Sequence, residues 1–507
     1  MTLLAYILVP ALAAPLAWLL GRRSPAAGRW TAVAGTALPL GLVVAQWIGA
    51  ADRLSGAALT GAAAAGDAGH LAELRLEWIP QIGVTFLLVA DGLTLVLLTL
   101  TFALGLLAVL SSWRGVSDRV GFFQFFLLWT VAAMAGVFLA FDLFLFVFFF
   151  EMMLVPMYFL IAIWGYERRV YAAIKFFLFT QASGLLMLVS ILALYFIHER
   201  ATGVYTFEFT ELLGTEMGSG TAMLLMLGFF AAFAVKLPAV PVHSWLPDAH
   251  TEAPTAGSVL LAGVLIKVGA YGMLRFMVPL FPQASFDLRQ VVFALAAVGI
   301  VYGAVLAWAQ RDLKRLVAYT SVSHMGFVLM GIFAWNELAL QGVVLEVVCH
   351  AFSTGALFML VGSLQERLHT RDLTRMGGLW GTAPKMGGTA TVFALASLGL
   401  PGLGNFVAEF LILAGVWQVS RWAAVVGALG LVFAAVYSLW LVQRVFHGPN
   451  EHDWRVADFG ARELGMFGAM MAALVALGFY PQPLITSARQ ALETGRARAD
   501  VSLEAQA

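Results

Sequence analysis

Stretch after stretch of this chain runs for about 20 residues with almost no charge. An α-helix rises 1.5 Å per residue, so about 20 apolar residues match the ~30 Å hydrocarbon core of a bilayer. Apolar cores fall near 3–20, 31–50, 83–110, 121–140, 143–164, 171–197, 221–240, 255–277, 290–309, 315–334, 339–363, 387–417, 422–446 and 464–483. In lipid every backbone N–H and C=O must be satisfied within the segment, which leaves the helix as the solution for such runs. The reading is an all-α polytopic membrane protein of about fourteen transmembrane helices. Composition agrees: of 507 residues 61% are hydrophobic and 11% charged, against about 25% charged in soluble domains. So few charges cannot cover a soluble surface, which excludes a cytosolic enzyme and a disordered chain. With 29 basic and 29 acidic residues there is no net charge and no pull toward a polyanion, so no nucleic acid is expected as a partner; lipid is. Met1 to Leu20 has no basic n-region and reads as a membrane helix, not a cleaved signal. The single cysteine, Cys349, cannot form an intrachain disulfide, a thiolate zinc site or a cysteine-ligated iron–sulfur cluster, and reads as a small buried apolar residue.

Orientation follows from Lys and Arg in short loops. One side collects Arg22, Arg23, Arg29, Arg114, Arg119, Arg168, Arg169, Arg311, Lys314, Arg315, Arg367, Arg371, Arg375, Lys385, Arg444, Arg455 and Arg462. The other holds Arg53, Arg75, Arg200, Arg275, Arg289, Arg421 and the tail arginines. The first side is expected to be cytoplasmic, with both termini outside. The 51–82 insertion is rich in Ala and Gly and shows no site; the polar tail from about 487 is expected to fray.

Two helices are interrupted. Residues 234–245 contain Lys236, Pro238 and Pro241; residues 399–408 contain Gly399, Pro401, Gly402 and Gly404, with Glu409 just beyond. Proline removes a backbone donor and clashes with the preceding turn, and opened backbone survives at membrane depth only inside protein or beside water. Lys236 and Glu409 lie about 170 positions apart, the same shift that separates the spans starting near 121 and 290. Five helices fall in each block, and an odd number inverts the second. We therefore read helices 1–120, a first five-helix repeat at 121–277, an inverted second repeat at 290–446, and a last helix with its tail at 447–507. Paired broken helices mark the transport site in such repeats.

An ionisable residue near the bilayer centre costs about 2.5–3.5 kcal/mol on insertion scales. Four of them, roughly 10 kcal/mol together, would rival a folding stability of about 5–15 kcal/mol, so they must face one another or water. Glu151, Lys236, Lys267 and Glu409 are placed this way. Lys175 lies nearer a helix start, where it either snorkels or joins them. His324 and His350 sit within spans and are open to two roles, a cross-helix hydrogen bond or a proton relay; Glu346 is one turn from His350 on the same face. Asp91 and Asp142 read as interfacial, Lys314 as a cytoplasmic surface charge, and His243 and His250 as members of a cytoplasmic loop. Burial disfavours a charged amine and a nearby carboxylate favours it. A lysine such as Lys236, if its distance to Glu151 can change, would have a switchable proton affinity.

The stretch from Lys236 through Pro238, Pro241, His243, Trp245, Asp248, His250, Glu252 and Pro254 to Lys267 resembles the signature of the antiporter-like subunits of respiratory complex I, a long and specific motif. Similarity continues through 311–326, with His324, and 402–410, with Glu409. A glutamate at the second break looks like the M-type paralogue; L and N types carry lysine there. The resemblance implies proton translocation in a bacterial inner membrane through Glu151, Lys236, Lys267 and Glu409, with His324 and His350. It implies no cofactor on this chain, and NADH, FMN, iron–sulfur clusters and quinone on partner subunits of the complex. It also implies L-type and N-type paralogues as neighbours in the membrane arm. Subunits of cation/proton antiporters and membrane-bound hydrogenases share the signature. A membrane redox protein with haem held by His324 and His350 is a rival from another class, and a passive scaffold is a third.

Overall fold

The computed structural model describes residues 2–54 and 70–506. Thirteen helices among the described residues are long and apolar enough to cross a membrane. They are α1 (Thr2–Arg23), α2 (Pro25–Gly49), α3 (Gly92–Gly115), α4 (Val120–Leu139), α5 (Leu143–Trp164), α6 (Arg169–Thr202), α7 (Ser219–Lys236), α9 (Thr255–Leu280), α10 (Arg289–Trp308), α11 (Leu313–Ala334), α12 (Glu337–Leu368), α15 (Arg421–Phe446) and α16 (Ala461–Phe479). Between α7 and α9 lies the short α8 (Trp245–Glu252). The expected span at 387–417 exists as two half-helices, α13 (Pro384–Ser397) and α14 (Gly404–Val419).

Two expectations are corrected. The apolar run at 83–110 is not one helix: Val84–Ala90 is a strand, β2, antiparallel to β1 (Ala72–Ile79), with Ala72 opposite Ala90 and Leu76 opposite Phe86. Val84, Thr85 and Val89 are β-branched, and Gly83 takes the left-handed conformation (φ 68°) that turns the chain between the strands. α3 begins only after Asp91, whose Oδ1 accepts from the Thr94 N–H at 2.9 Å as an N-cap. The tail does not fray at 487: Gln482–Gln506 is a helix, α17, and Ile485, Ser487 and Ala488 are buried. Residues 55–69 of the Ala/Gly-rich insertion lie outside the described residues.

Burial sorts the helices. α9 is buried throughout and α11 and α12 almost so, whereas α1, α2 and α16 are largely outward-facing. The mid-span ionisable residues Lys267, His324 and His350 sit on the three innermost helices, where lipid does not reach them.

Two of the helical runs end short and resume after a break. α7 ends at Lys236 and α8 starts at Trp245. The carbonyl of Val235, orphaned by the helix end, accepts from the Trp245 indole N–H at 2.9 Å. α13 ends at Ser397 and α14 starts at Gly404. Between them Gly399 (φ 78°) and Gly402 (φ 97°) are left-handed, conformations costing an L-residue about 1–2 kcal/mol. Sequence reading did not foresee two further irregularities. α5 carries a turn at Met153, two residues after Glu151, and α9 contains π-helical segments at Leu261–Leu265 and Met273–Met277, on either side of Lys267.

Candidate functional site

Among the described residues, two groups of ionisable side chains lie on the inner helices beside the breaks. In the first, Glu151 and Lys236 are each other's electrostatic partners. The Lys236 ammonium is fully buried, 4.9 Å from the Phe150 ring centroid and 5.7 Å from that of Phe176. It has no hydrogen-bond partner among the described residues. Its α7 helix packs tightly on α9: a Cβ at Gly269 would lie 2.5 Å from the Phe233 carbonyl oxygen. Glu151 is half-buried against α6, where Gly184 leaves room for it; a Cβ there would lie 1.8 Å from Oε1.

The second cluster consists of two hydrogen-bonded groups that meet in one ring-to-ring contact. Beside the π-turn at Leu261–Leu265, Lys267 Nζ donates to the Ala262 carbonyl at 2.6 Å and to His350 Nδ1 at 2.6 Å. The His350 and His324 rings meet edge to face with centroids 5.4 Å apart. His324 Nδ1 lies 2.9 Å from Glu409 Oε1 and 3.5 Å from Glu346 Oε1. Its Nε2 contacts the Tyr437 hydroxyl at 3.1 Å and Ser397 Oγ, at the end of α13, at 3.4 Å. All of these groups are buried. An ammonium only donates, so beside a charged Lys267 the Nδ1 of His350 must be the lone-pair nitrogen and the proton sits on Nε2. Protonation of one member of such a line changes which way the next can donate.

Of the residues singled out in the sequence, Glu151 and Lys236 are brought together, and so are Lys267, His350, His324 and Glu409. Lys175 is paired elsewhere, with Asp248 at 2.7 Å, an oxygen pair shared with Arg315 at 3.1 Å. Several environments differ from expectation. Lys314 is not a surface charge: it is buried, donates to the Ala253 carbonyl, and lies 5.1 Å from the Tyr166 ring centroid. His250 is not in a loop but buried in α8, stacked on Phe358 at 4.5 Å, and His243, in the break before α8, is buried too. Asp91 is not interfacial: it is buried in an ion pair with Arg275 at 2.6 Å. Asp142 is fully buried as well, capping α5 through Oδ1 with the N–H groups of Phe144 at 2.9 Å and Leu145 at 3.0 Å. Hydropathy places a residue along its helix but not around it, and each of these side chains turns inward. Ser397 and Tyr437 join the site without any signal in the sequence; Glu346 had one, its place a turn before His350. Cys349 is buried, as expected.

The haem reading does not fit this geometry. His324 has both nitrogens engaged and His350 has Nδ1 engaged by Lys267, and with the rings in edge contact no porphyrin passes between them.

Comparisons with known proteins agree with the geometry. The family described as NADH:quinone oxidoreductase/Mrp antiporter, TM, matches residues 140–435. The NADH-quinone oxidoreductase subunit M of Pseudomonas aeruginosa is 50% identical over 485 residues, covering 94% of each chain, and that of Escherichia coli K12 is 49% identical over 494 residues, covering 96% of each. A chain of respiratory complex I from Thermus thermophilus superposes with a TM-score of 0.85 at 30% identity, covering 99% of both. A chain of the Mrp complex from a Dietzia species has the same fold, with a TM-score of 0.80 at 24% identity over 97% of this chain and 52% of that one. Two broken helices around a buried row of amines, imidazoles and carboxylates, with matches that run nearly end to end, place the chain in the NADH:quinone oxidoreductase/Mrp antiporter family of membrane subunits.

Proposed function

We propose that the chain works as the M subunit of a bacterial NADH:quinone oxidoreductase and passes protons along its buried row. It sits in the bacterial inner membrane with both termini outside, as the Lys and Arg bias of the loops argues. Residues 121–277 and 290–446 act as the two inverted halves, each supplying one broken helix. The redox chemistry, with NADH, FMN, iron–sulfur clusters and quinone, belongs to partner subunits, and L-type and N-type paralogues flank this chain.

The observation that carries the reading is the contact run from Lys267 through His350 and His324 to Glu409. A charged Lys267 hands a proton to His350 Nδ1 along an existing hydrogen bond. The imidazole releases its own from Nε2, and one bridging water or a ring rotation closes the gap to His324. His324 then passes it to Glu409. At the other end the distance between Glu151 and Lys236 sets how strongly the amine holds its proton. Moving the carboxylate away therefore drives the proton on toward Lys267. Gly399 and Gly402 give the turn beside Glu409 the freedom to open for release.

The test is Lys236→Ala in the whole complex. Inverted membrane vesicles should oxidise NADH through an assembled complex yet acidify their lumen at least about tenfold more slowly, in line with loss of a positioned acid–base group. Undiminished acidification refutes the role, and with Glu151→Gln also silent it would favour the scaffold.

A further inference from the structure

At the end of the row, a histidine and two carboxylates share a space too small for them to be indifferent to one another. His324, Glu346 and Glu409 are each buried, at 2%, 0% and 1% exposure. One ligand-capable atom from each lies within 4.8 Å of the other two. His324 satisfies only part of this group. Among the described residues, both oxygens of Glu346 and Oε2 of Glu409 have no hydrogen-bond partner, and neither has Nε2 of the adjacent His350. An unpaired carboxylate in a dry interior is costly; Glu346 is one, and Glu409 is paired through a single oxygen. The C-terminal end of the half-helix α13 adds to the negative field: Ser397, its last residue, touches His324, and helix C-termini carry partial negative charge.

We propose that His324, Glu346 and Glu409 form a binding site for a divalent transition-metal cation of the zinc type. The charge count favours a dication. With the Lys267 amine neutral, two carboxylates and M²⁺ sum to zero around a neutral imidazole, whereas an alkali cation leaves a net negative charge in low dielectric. The donor set favours zinc over magnesium or calcium, because an imidazole nitrogen suits the former and all-oxygen shells the latter. Zinc bonds of about 2.0–2.2 Å to N and O require the three atoms to draw together, which small rotations of the two carboxyl groups achieve. A water would complete the tetrahedron. A dication here would displace the proton between His324 and Glu409 and repel the Lys267 ammonium, an electrostatic neighbour of Glu346. Two relay members would be disabled at once. That consequence rests on the relay proposed above; the binding does not.

The experiment has two arms. In the first, full-length chain purified in detergent is titrated with Zn²⁺ against a chromophoric chelator. One ion should bind per chain, and Glu346→Gln and His324→Gln should each weaken it at least about tenfold, as expected for loss of one ligand of a closed set, while the surface variant His452→Asn leaves it unchanged. Co²⁺ substituted for Zn²⁺ should give tetrahedral ligand-field bands in the wild type that both site variants lose. Absence of tight binding in chain of native helix content overturns the site, as do equal affinity in Glu346→Gln and wild type, or equal competition by Na⁺. In the second arm, Zn²⁺ is added to inverted vesicles holding the whole complex. It should slow proton translocation in the wild type. Binding in the first arm without any effect in the second leaves the site standing and overturns the placement of these groups on the proton path.

Discussion

Glu151 and Gly184 show how much of this site is carried by single atoms. A methyl group at 184 would lie 1.8 Å from Glu151 Oε1, so the carboxylate, being the end of a flexible side chain, would swing away. Alanine is a better helix former than glycine by about 0.5–1 kcal/mol. Gly184→Ala should therefore hold the melting temperature of the purified chain within a few degrees, while vesicle acidification falls to the level of Glu151→Gln. A variant that melts normally and pumps normally would show that the position of this carboxylate is immaterial. Gly399→Ala is the contrasting case. Position 399 is left-handed, and a Cβ there would lie 2.8 Å from Glu409 Oε2. Backbone strain of about 1–2 kcal/mol should lower both melting temperature and acidification; unchanged melting would refute the strain. That Lys236, Lys267 and Glu409 turn inward was legible in the sequence, because a charge in an apolar run must avoid lipid. Their grouping into a Glu151–Lys236 pair and a Lys267-to-Glu409 line was not. Grouping depends on rotation about each helix axis, which hydropathy does not record.

Elements tell a similar story with a different cause. Proline and glycine announce an interruption, so the breaks after Lys236 and after Ser397 could be read directly. The π-segments flanking Lys267 contain no proline, since a π-turn shifts hydrogen bonds from i+4 to i+5 without a breaker residue. The strand Val84–Ala90 passed for helix because a strand buried on both faces is as uniformly apolar as a membrane span. Lys314 was misplaced because loop counting treats any lysine at a helix start as solvated; here α11 is capped by Asp312, whose Oδ1 accepts from the Lys314 N–H at 2.8 Å, and the side chain folds inward beneath Tyr166. One of the bonds across the break at 237–244 can be tested singly. Trp245→Phe keeps an aromatic side chain, though a smaller one, and removes the indole donor to the Val235 carbonyl. Leaving that buried acceptor unpaired should destabilise the chain by about 1–3 kcal/mol, and acidification should fall with it because Lys236 is the next residue. Thermal unfolding in detergent checks the first part, and an unshifted transition would mean the carbonyl is satisfied another way.

Across the molecule, one feature ties distant parts of the chain together on the face opposite the Lys- and Arg-rich loops. Asp91, at the start of α3, is paired with Arg275 near the end of α9 at 2.6 Å, and a second contact joins Arg275 Nη2 to Asp91 Oδ1 at 2.8 Å. Both groups are nearly dry. Next to them the terminal helix α17 comes down on α3 so closely that a Cβ at Gly92 would lie 1.7 Å from the Ser487 carbonyl oxygen. Removing one member of a buried pair leaves the other uncompensated, at a cost of about 3–5 kcal/mol, whereas replacing both by apolar groups of similar size can be neutral. Asp91→Asn should thus lower the melting temperature sharply, and the double variant Asp91→Leu with Arg275→Met should recover most of the loss. Gly92→Ala leaves the ion pair in place but has backbone, not a flexible side chain, in its way. It should lift α17 from α3 and loosen the helix so that trypsin cuts after Arg489 and Arg496 before any cut elsewhere. If Gly92→Ala resists trypsin as wild type does, α17 is not seated on α3. If the double variant is no more stable than Asp91→Asn, Arg275 has a second partner that matters more than the aspartate.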